Sequence, residues 1–300
     1  MWDAGVIAYL QQFRTPLLDS IFRTFTGLGS DLFYMLLIPV VYWAVDRQKG
    51  HRLAVVTLVS VWLNGVVKEW AAMPRPDPAL GIVRLAEATG PGFPSGHAQV
   101  SAAFWGWLAL EFPRPWLIAL AIVMVLGVSI SRLYLGVHFL GDVLGGLVLG
   151  FGVVAVAAVV MALAEERRRA SRGRLLAAVA VPLLLFPLSP SSDSERALGF
   201  LMGLLTADRV ALNAIAYGEQ AGLLQHLGRL AIGLAGFFAL ATAVRAYAAP
   251  GLPALFGYAV VAVWVAVVAP LIFLQTRLAS PPREVQLRAR QRRIPSIAAP

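Results

Sequence analysis

The chain has 300 residues, of which 59% are hydrophobic and 14% charged, and its mean hydropathy is +0.73. Soluble globular proteins carry about a quarter charged residues, so an ordinary soluble enzyme, a disordered chain and a nucleic-acid-binding domain are excluded. The formal charge of +9 then reads as basic loops on one side of a membrane, and the absence of cysteine removes disulfides and thiol chemistry.

Residues 4–26 mix Leu10, Phe13, Leu17, Phe22 and Phe25 with Arg14, Asp19 and Arg23, the pattern of a helix lying in the membrane interface. No secretory leader is expected, because Asp3 is the first charge and no basic segment precedes an apolar run. A helical span needs about 20 predominantly apolar residues. Runs of this kind predict nine spans, at 30–46, 51–71, 95–112, 115–133, 138–164, 174–189, 195–208, 229–247 and 253–276. The seventh is short enough to be re-entrant. Gly145, Gly146, Gly150 and Gly152 predict close helix packing around the fifth. The expected fold is all-α, a polytopic membrane helical bundle of about nine transmembrane helices with an N-terminal interfacial helix.

If residues 47–50 face the cytoplasm, alternation collects most of the 25 cations on that side. They include Arg47, Arg52, Arg229, the run from Arg167 to Arg174 and the tail from Arg277 to Arg293. The excess of cations on the cytoplasmic side places the N-terminus outside and the C-terminus in the cytoplasm.

Three strings bring ionisable residues to the opposite, outer ends of the spans. They are KEWAAMPRP from Lys68 to Pro76, Pro94-Ser95-Gly96-His97, and SRLYLGVHFLGD from Ser131 to Asp142. Charges at membrane depth are costly unless paired or hydrated, so such a gathering is a functional candidate. Lys68, Arg75 and Arg132 make a pocket for a multiply charged anion, and the arginine fork suits phosphate oxygens. Ser95 and Gly96 open a helix whose N–H groups and positive end can face that anion. His138 and Asp142 are four apart on one helix face, so the carboxylate can set the imidazole tautomer and leave the other ring nitrogen free to attack. His97, from another helix, can serve the leaving oxygen as an acid. No acidic metal cage accompanies the set, so no metal and no cofactor is expected, and the cations supply the charge neutralisation. Taken singly, His138 reads as an interfacial histidine, His97 as part of a helix start, and Lys68, Arg75 and Arg132 as interface anchors. Together they form a phosphoryl-transfer inventory.

These strings resemble the three signature motifs of the type 2 phosphatidic acid phosphatase superfamily, Lys-x6-Arg-Pro, Pro-Ser-Gly-His and Ser-Arg-x5-His-x3-Asp. Every motif position is filled, in order, between residues 68 and 142. The resemblance implies a metal-independent phosphatase working through a phosphohistidine. His138 would be nucleophile, Asp142 its orienter and His97 general acid and then base. Lys68, Arg75, Ser95, Gly96, Arg132 and also Ser131 would hold the phosphate. The stretches ATGPGFPSGHAQ and WLNGVVKEW are further similar to glucose-6-phosphatases, whereas Gly141-Asp142 departs toward bacterial lipid phosphatases.

The expected division is an interfacial helix at 1–29, a catalytic core at 30–164, C-terminal transmembrane helices at 174–276 and a basic cytoplasmic tail at 277–300. A site at the outer boundary suits a phosphorylated lipid whose tail stays among membrane lipids. Phosphatidic acid, phosphatidylglycerol phosphate, undecaprenyl diphosphate and sphingoid phosphates all fit, in a multi-pass protein of the cell membrane whose site faces the periplasm or exterior. A soluble sugar phosphate is the alternative substrate, and a phosphate or lipid transporter built on the same anion site is the alternative class.

Overall fold

The computed structural model describes residues 3–166, 172–189, 191–211 and 221–280. Within them the chain is helical throughout, with no strand. Helices α1 (Gly5–Gln11) and α2 (Pro16–Leu28) come first. The second starts on a Thr15 cap with Pro16 in its first turn. Helix α3 (Asp31–Val40) runs into a wide π turn at Val41–Val45. Asp46 then caps α4 (Arg47–Ala71), which stops where Ala72 adopts a left-handed conformation. A long loop leads to α5 (Gly96–Glu111), α6 (Pro115–Tyr134) and α7 (Leu140–Glu166). The C-terminal part comprises α8 (Arg172–Leu185), α9 (Ser192–Ala211), α10 (Leu223–Tyr247), α11 (Leu252–Val263), a second π turn at Trp264–Val268, and α12 (Ala269–Gln275).

Among the described residues, five helical stretches are long and apolar enough to cross a membrane: α4, α6, α7, α10 and α11 continued through α12. A sixth exists if α2 and the α3 stretch, bent by 54° at Gly29 and Ser30, are taken as one broken span. The expectation of nine spans is therefore met by nine helical segments but not by nine full-length ones. Helix α5 has 16 residues and rises only about 24 Å, short of a ~30 Å hydrocarbon core. Helix α8 contains Pro182, and α9 opens on the charges Asp193 and Glu195.

The N-terminal stretch also differs from a single interfacial helix. It is two helices, and both are tied to the bundle. The Gln11 amide donates to the carbonyls of Val83 and Tyr134 at 2.7 and 3.0 Å. The Tyr134 hydroxyl donates to Asp19 at 2.7 Å. Phe25 lies on Gly127, where an added Cβ would come within 2.3 Å of its ring.

Helix α7 packs on α5 through glycine, as its sequence predicts. A Cβ on Gly146 would meet the Ser95 carbonyl at 2.6 Å, and one on Gly150 the Gln99 carbonyl at 2.4 Å. Gly145 receives the Phe93 ring. Gly152 is the exception, since nothing lies within 4 Å of its built Cβ.

Two cations that the sequence assigned to basic loops are instead built into the bundle. Arg47 and Arg229 each reach a carbonyl of one π turn. Arg47 Nη2 donates to Ala266 O at 3.0 Å. Arg229, 0% exposed, donates to Trp43 O at 3.1 Å and Leu278 O at 2.9 Å. Trp43 and Trp264 add indole donors to Val265 O and Gly233 O, both at 3.0 Å. Arg52 pairs with Glu111 at 2.6 Å. Residues 167–171 of the expected basic run and 281–300 of the tail lie outside the described residues, as do the side chains of Arg172, Arg174 and Arg209.

Candidate active site

Helix direction alone gathers the three strings. Lys68 is in the last turn of α4, Ser95 caps α5, Arg132 is in the last turn of α6, and His138 and Asp142 stand at the entry to α7. All lie at one end of the bundle.

Arg75 is the hub of the loop after α4. Its Nε donates to Gly90 O at 2.9 Å and its Nη2 to Thr89 O at 3.0 Å. Its Nη1 reaches Val137 O at 3.0 Å and His138 Nε2 at 2.9 Å. Arginine can only donate, so His138 Nε2 accepts, and the ring proton belongs on Nδ1. That nitrogen faces Asp142 Oδ2 at 3.4 Å, with the imidazole 2% exposed and the carboxylate 0%. Asp142 Oδ2 also accepts from the Phe139 amide at 2.9 Å, which holds the carboxylate in place. The pair thus presents an unprotonated Nε2 to the arginine side. Burial lowers the pKa of Arg75, partly offset by the Asp142 charge, yet a guanidinium stays cationic at any ordinary pH.

Lys68 Nζ donates to Pro91 O at 2.8 Å, drawing the loop over the end of α4. Gly92 is required where it stands, because a Cβ there would lie 2.8 Å from Pro74 O and 3.3 Å from Asp142 Oδ2. Ser95 donates its amide to Asp142 O at 2.9 Å. Gly96 lies against Asn64, its built Cβ 3.0 Å from Oδ1. The His97 side chain makes no hydrogen bond to another described residue and lies within electrostatic reach of Arg132, His138, Arg75 and Lys68. Arg132 donates to the Thr26 hydroxyl. Ser131 points away, donating to Val128 O at 2.6 Å, so it does not join the phosphate-facing set that the resemblance implied.

Two donors in this cluster are buried without a partner, Ser95 Oγ and Arg132 Nε. Buried donors are nearly always satisfied, so these two are open to an acceptor. Lys68, Arg75 and Arg132 set the charge of that acceptor as negative. Among the described residues no group of three His, Cys, Asp or Glu is placed to hold a metal ion.

Sequence reasoning missed the brace beneath the α5 start. Asn64 Nδ2 donates to Gln99 Oε1 at 2.8 Å and to Pro94 O at 3.4 Å, and Gln99 Nε2 donates to Ser60 O at 2.9 Å. All three side chains are buried. The signal was two amides inside apolar spans, which are costly there without partners. Thr26, the partner of Arg132, carried no such signal.

The PAP2 superfamily model matches residues 50–186, and the model of the PAP2 superfamily phosphatase transmembrane extension matches residues 196–281. Sphingosine-1-phosphate phosphatase 2 of Mus musculus is 29% identical over 183 residues, covering 58% of this chain and 51% of that protein. Phosphatidylglycerophosphatase B of Bacillus subtilis (strain 168) is 33% identical over 150 residues, covering 46% of this chain and 72% of that protein. Glucose-6-phosphatase 3 of Mus musculus is 30% identical over 175 residues, covering 49% and 50%. The chain thus spans about half the length of the two mouse relatives. Apolar helices of spanning length and a matched transmembrane extension make this a membrane protein. With its three motifs folded into one cluster inside the matched region, the chain belongs to the PAP2 superfamily.

Proposed function

We propose that the protein is a membrane phosphatase that hydrolyses a phosphate monoester or diphosphate of a lipid through a phosphohistidine. One observation carries the reading: an imidazole with its Nε2 unprotonated, fixed through Nδ1 by a buried carboxylate, stands among three cations and two unpartnered buried donors. The incoming phosphate takes Arg75 from Nε2 onto its own oxygens, joined by Lys68, Arg132 and the Ser95 hydroxyl, with the Gly96 backbone at the helix start. His138 Nε2 attacks phosphorus in line, the phosphorus–oxygen ester bond breaks, and His97 gives its proton to the departing oxygen. His97 then takes a proton from water, whose oxygen attacks the phosphohistidine and releases inorganic phosphate. The cations neutralise the spreading charge, so the reaction needs no metal.

The chain crosses the membrane nine times in this reading, with the site toward the exterior or periplasm and the C-terminus in the cytoplasm. Residues 30–164 are its catalytic core and 174–276 complete the bundle. The relatives named for sphingosine 1-phosphate and phosphatidylglycerophosphate support a lipid ester. The likeness to glucose-6-phosphatase 3 supports a sugar phosphate as the second reading.

The test is phosphate release by purified protein in EDTA, from phosphatidic acid in detergent and from glucose 6-phosphate. Release from the lipid and an acid-labile phosphoenzyme absent in His138→Ala are expected. Preferential release from the sugar phosphate favours the second reading. Transport of phosphate with no hydrolysis overturns the enzyme.

A further inference from the structure

Between the catalytic bundle and the C-terminal helices lies a groove of about 310 Å³, enclosed by α3, α4, α5, α9, α10, α11 and the second π turn. Its walls are apolar, with Ile38, Val61, Val100, Phe200, Ala241 and Val265 among them. Its volume is at the small end of the range for ligand sites. The charged residues Asp31, Asp193 and Arg196 stand together at one end, Arg245 lies in the last turn of α10, and the hydroxyls of Thr57 and Thr242 sit among the walls.

That polar end sits beside the catalytic cluster. Val61 and Lys68 are two turns apart on one face of α4, and Val100 and His97 one turn apart on one face of α5. Asp31 follows Gly29 by two residues, and a Cβ on Gly29 would be 3.3 Å from His97 Cδ2. Ser194, in the first turn of α9 with Asp193, packs on Gly65 one turn below Lys68. The walls therefore descend into the bundle from the helix ends that carry Lys68 and His97. Apolar walls at membrane depth attract an alkyl chain rather than water.

We propose that this groove holds the single apolar chain of the phosphate ester while its phosphate occupies the catalytic cluster. The proposal rests on the phosphatase reading and adds a chain-binding site shared between the catalytic bundle and the transmembrane extension. The enzyme then selects single-chain phosphates by chain length, and the C-terminal helices contribute to substrate binding rather than to chemistry.

The experiment compares butyl phosphate with hexadecyl phosphate in mixed micelles, for the wild-type chain and for Ala241→Trp and Met35→Trp, two groove-lining positions on different helices. The wild type should show a KM for hexadecyl phosphate at least about tenfold below that for butyl phosphate. Each variant should raise the hexadecyl phosphate KM by about tenfold with kcat unchanged, the signature of lost uniform binding. Turnover of butyl phosphate should persist, which shows that the variants fold. Equal KM values for the two esters, or an unchanged hexadecyl phosphate KM in both variants, overturns the groove as the chain site and leaves it to bilayer lipid. Absence of phosphate release from either ester by the wild type overturns the phosphatase reading itself.

Discussion

The Ser95 amide donates to the backbone oxygen of Asp142 at 2.9 Å. This bond joins the start of α5 to the first turn of α7 and sets the serine hydroxyl at a fixed position relative to the carboxylate that holds His138. The Ser95 hydroxyl and the His138 imidazole are thereby positioned by backbone as well as by side chains, which is how a site keeps its geometry against thermal motion.

The carboxylate contact gives the first prediction. Asp142→Asn keeps an acceptor for the Phe139 amide but removes the charge that stabilises the His138 Nδ1 proton. Phosphate release should fall by about 100-fold or more, while thermal stability in detergent changes by no more than about 1 kcal/mol. Steady-state kinetics and a melting curve check it; near-normal turnover would remove Asp142 from the mechanism.

In the proposed mechanism His97 and His138 have separable roles. His138→Ala should form no phosphoenzyme from any ester. His97→Ala should still form one from p-nitrophenyl phosphate, whose leaving group needs no proton, and should hold it, because no base activates water. Rapid acid quench with radiolabelled phosphate distinguishes them. A phosphoenzyme that turns over normally in His97→Ala assigns the base elsewhere.

The buried amide brace should act through the α5 start. Asn64→Leu leaves Gln99 Oε1 without its donor and frees Pro94 O. It should lower kcat by about tenfold or more while Asn64→Asp, which cannot donate, does not restore it. An Asn64→Leu variant with wild-type kcat would reduce the brace to packing.

Glycine on α7 decides how near α5 can come. At Gly150 an added Cβ falls 2.4 Å from backbone rather than from a flexible side-chain end, so the helices must separate. Gly150→Val should destabilise by roughly 1–3 kcal/mol, and Gly152→Ala, with open space around it, should be nearly silent. Melting temperatures of the two variants test the contrast.

Arg229 should matter for stability far from the site. Arg229→Met removes its bonds to the Trp43 and Leu278 carbonyls and should lower stability by about 2–4 kcal/mol without changing KM. A loss of activity in protein that melts normally would give the π-turn region a functional role.

The candidate site was legible in the sequence because each of its parts is local. A proline before Ser95-Gly96, four residues from His138 to Asp142, and cations at the ends of apolar runs are spacings that helical periodicity converts directly into position. The amides Asn64 and Gln99 were readable as costly residues, but not as partners, since 35 positions separate them. Arg47 and Arg229 were read as loop charges because composition reports charge and not environment; their partners, Ala266, Trp43 and Leu278, lie between 49 and 219 residues away.

By itself the sequence determined that the chain is a helical membrane protein and which strings carry the family motifs. Both follow from hydropathy and short-range spacing. Tertiary structure alone decided that α1 and α2 bind α6, that Ser131 turns away from the cluster, that Gly152 faces open space, and that an apolar groove opens between α3, α4 and the C-terminal helices. Those outcomes depend on which helix faces meet, and faces are chosen by packing between segments far apart in the chain, where close approach of backbone to glycine and satisfaction of buried polar groups outweigh local preference.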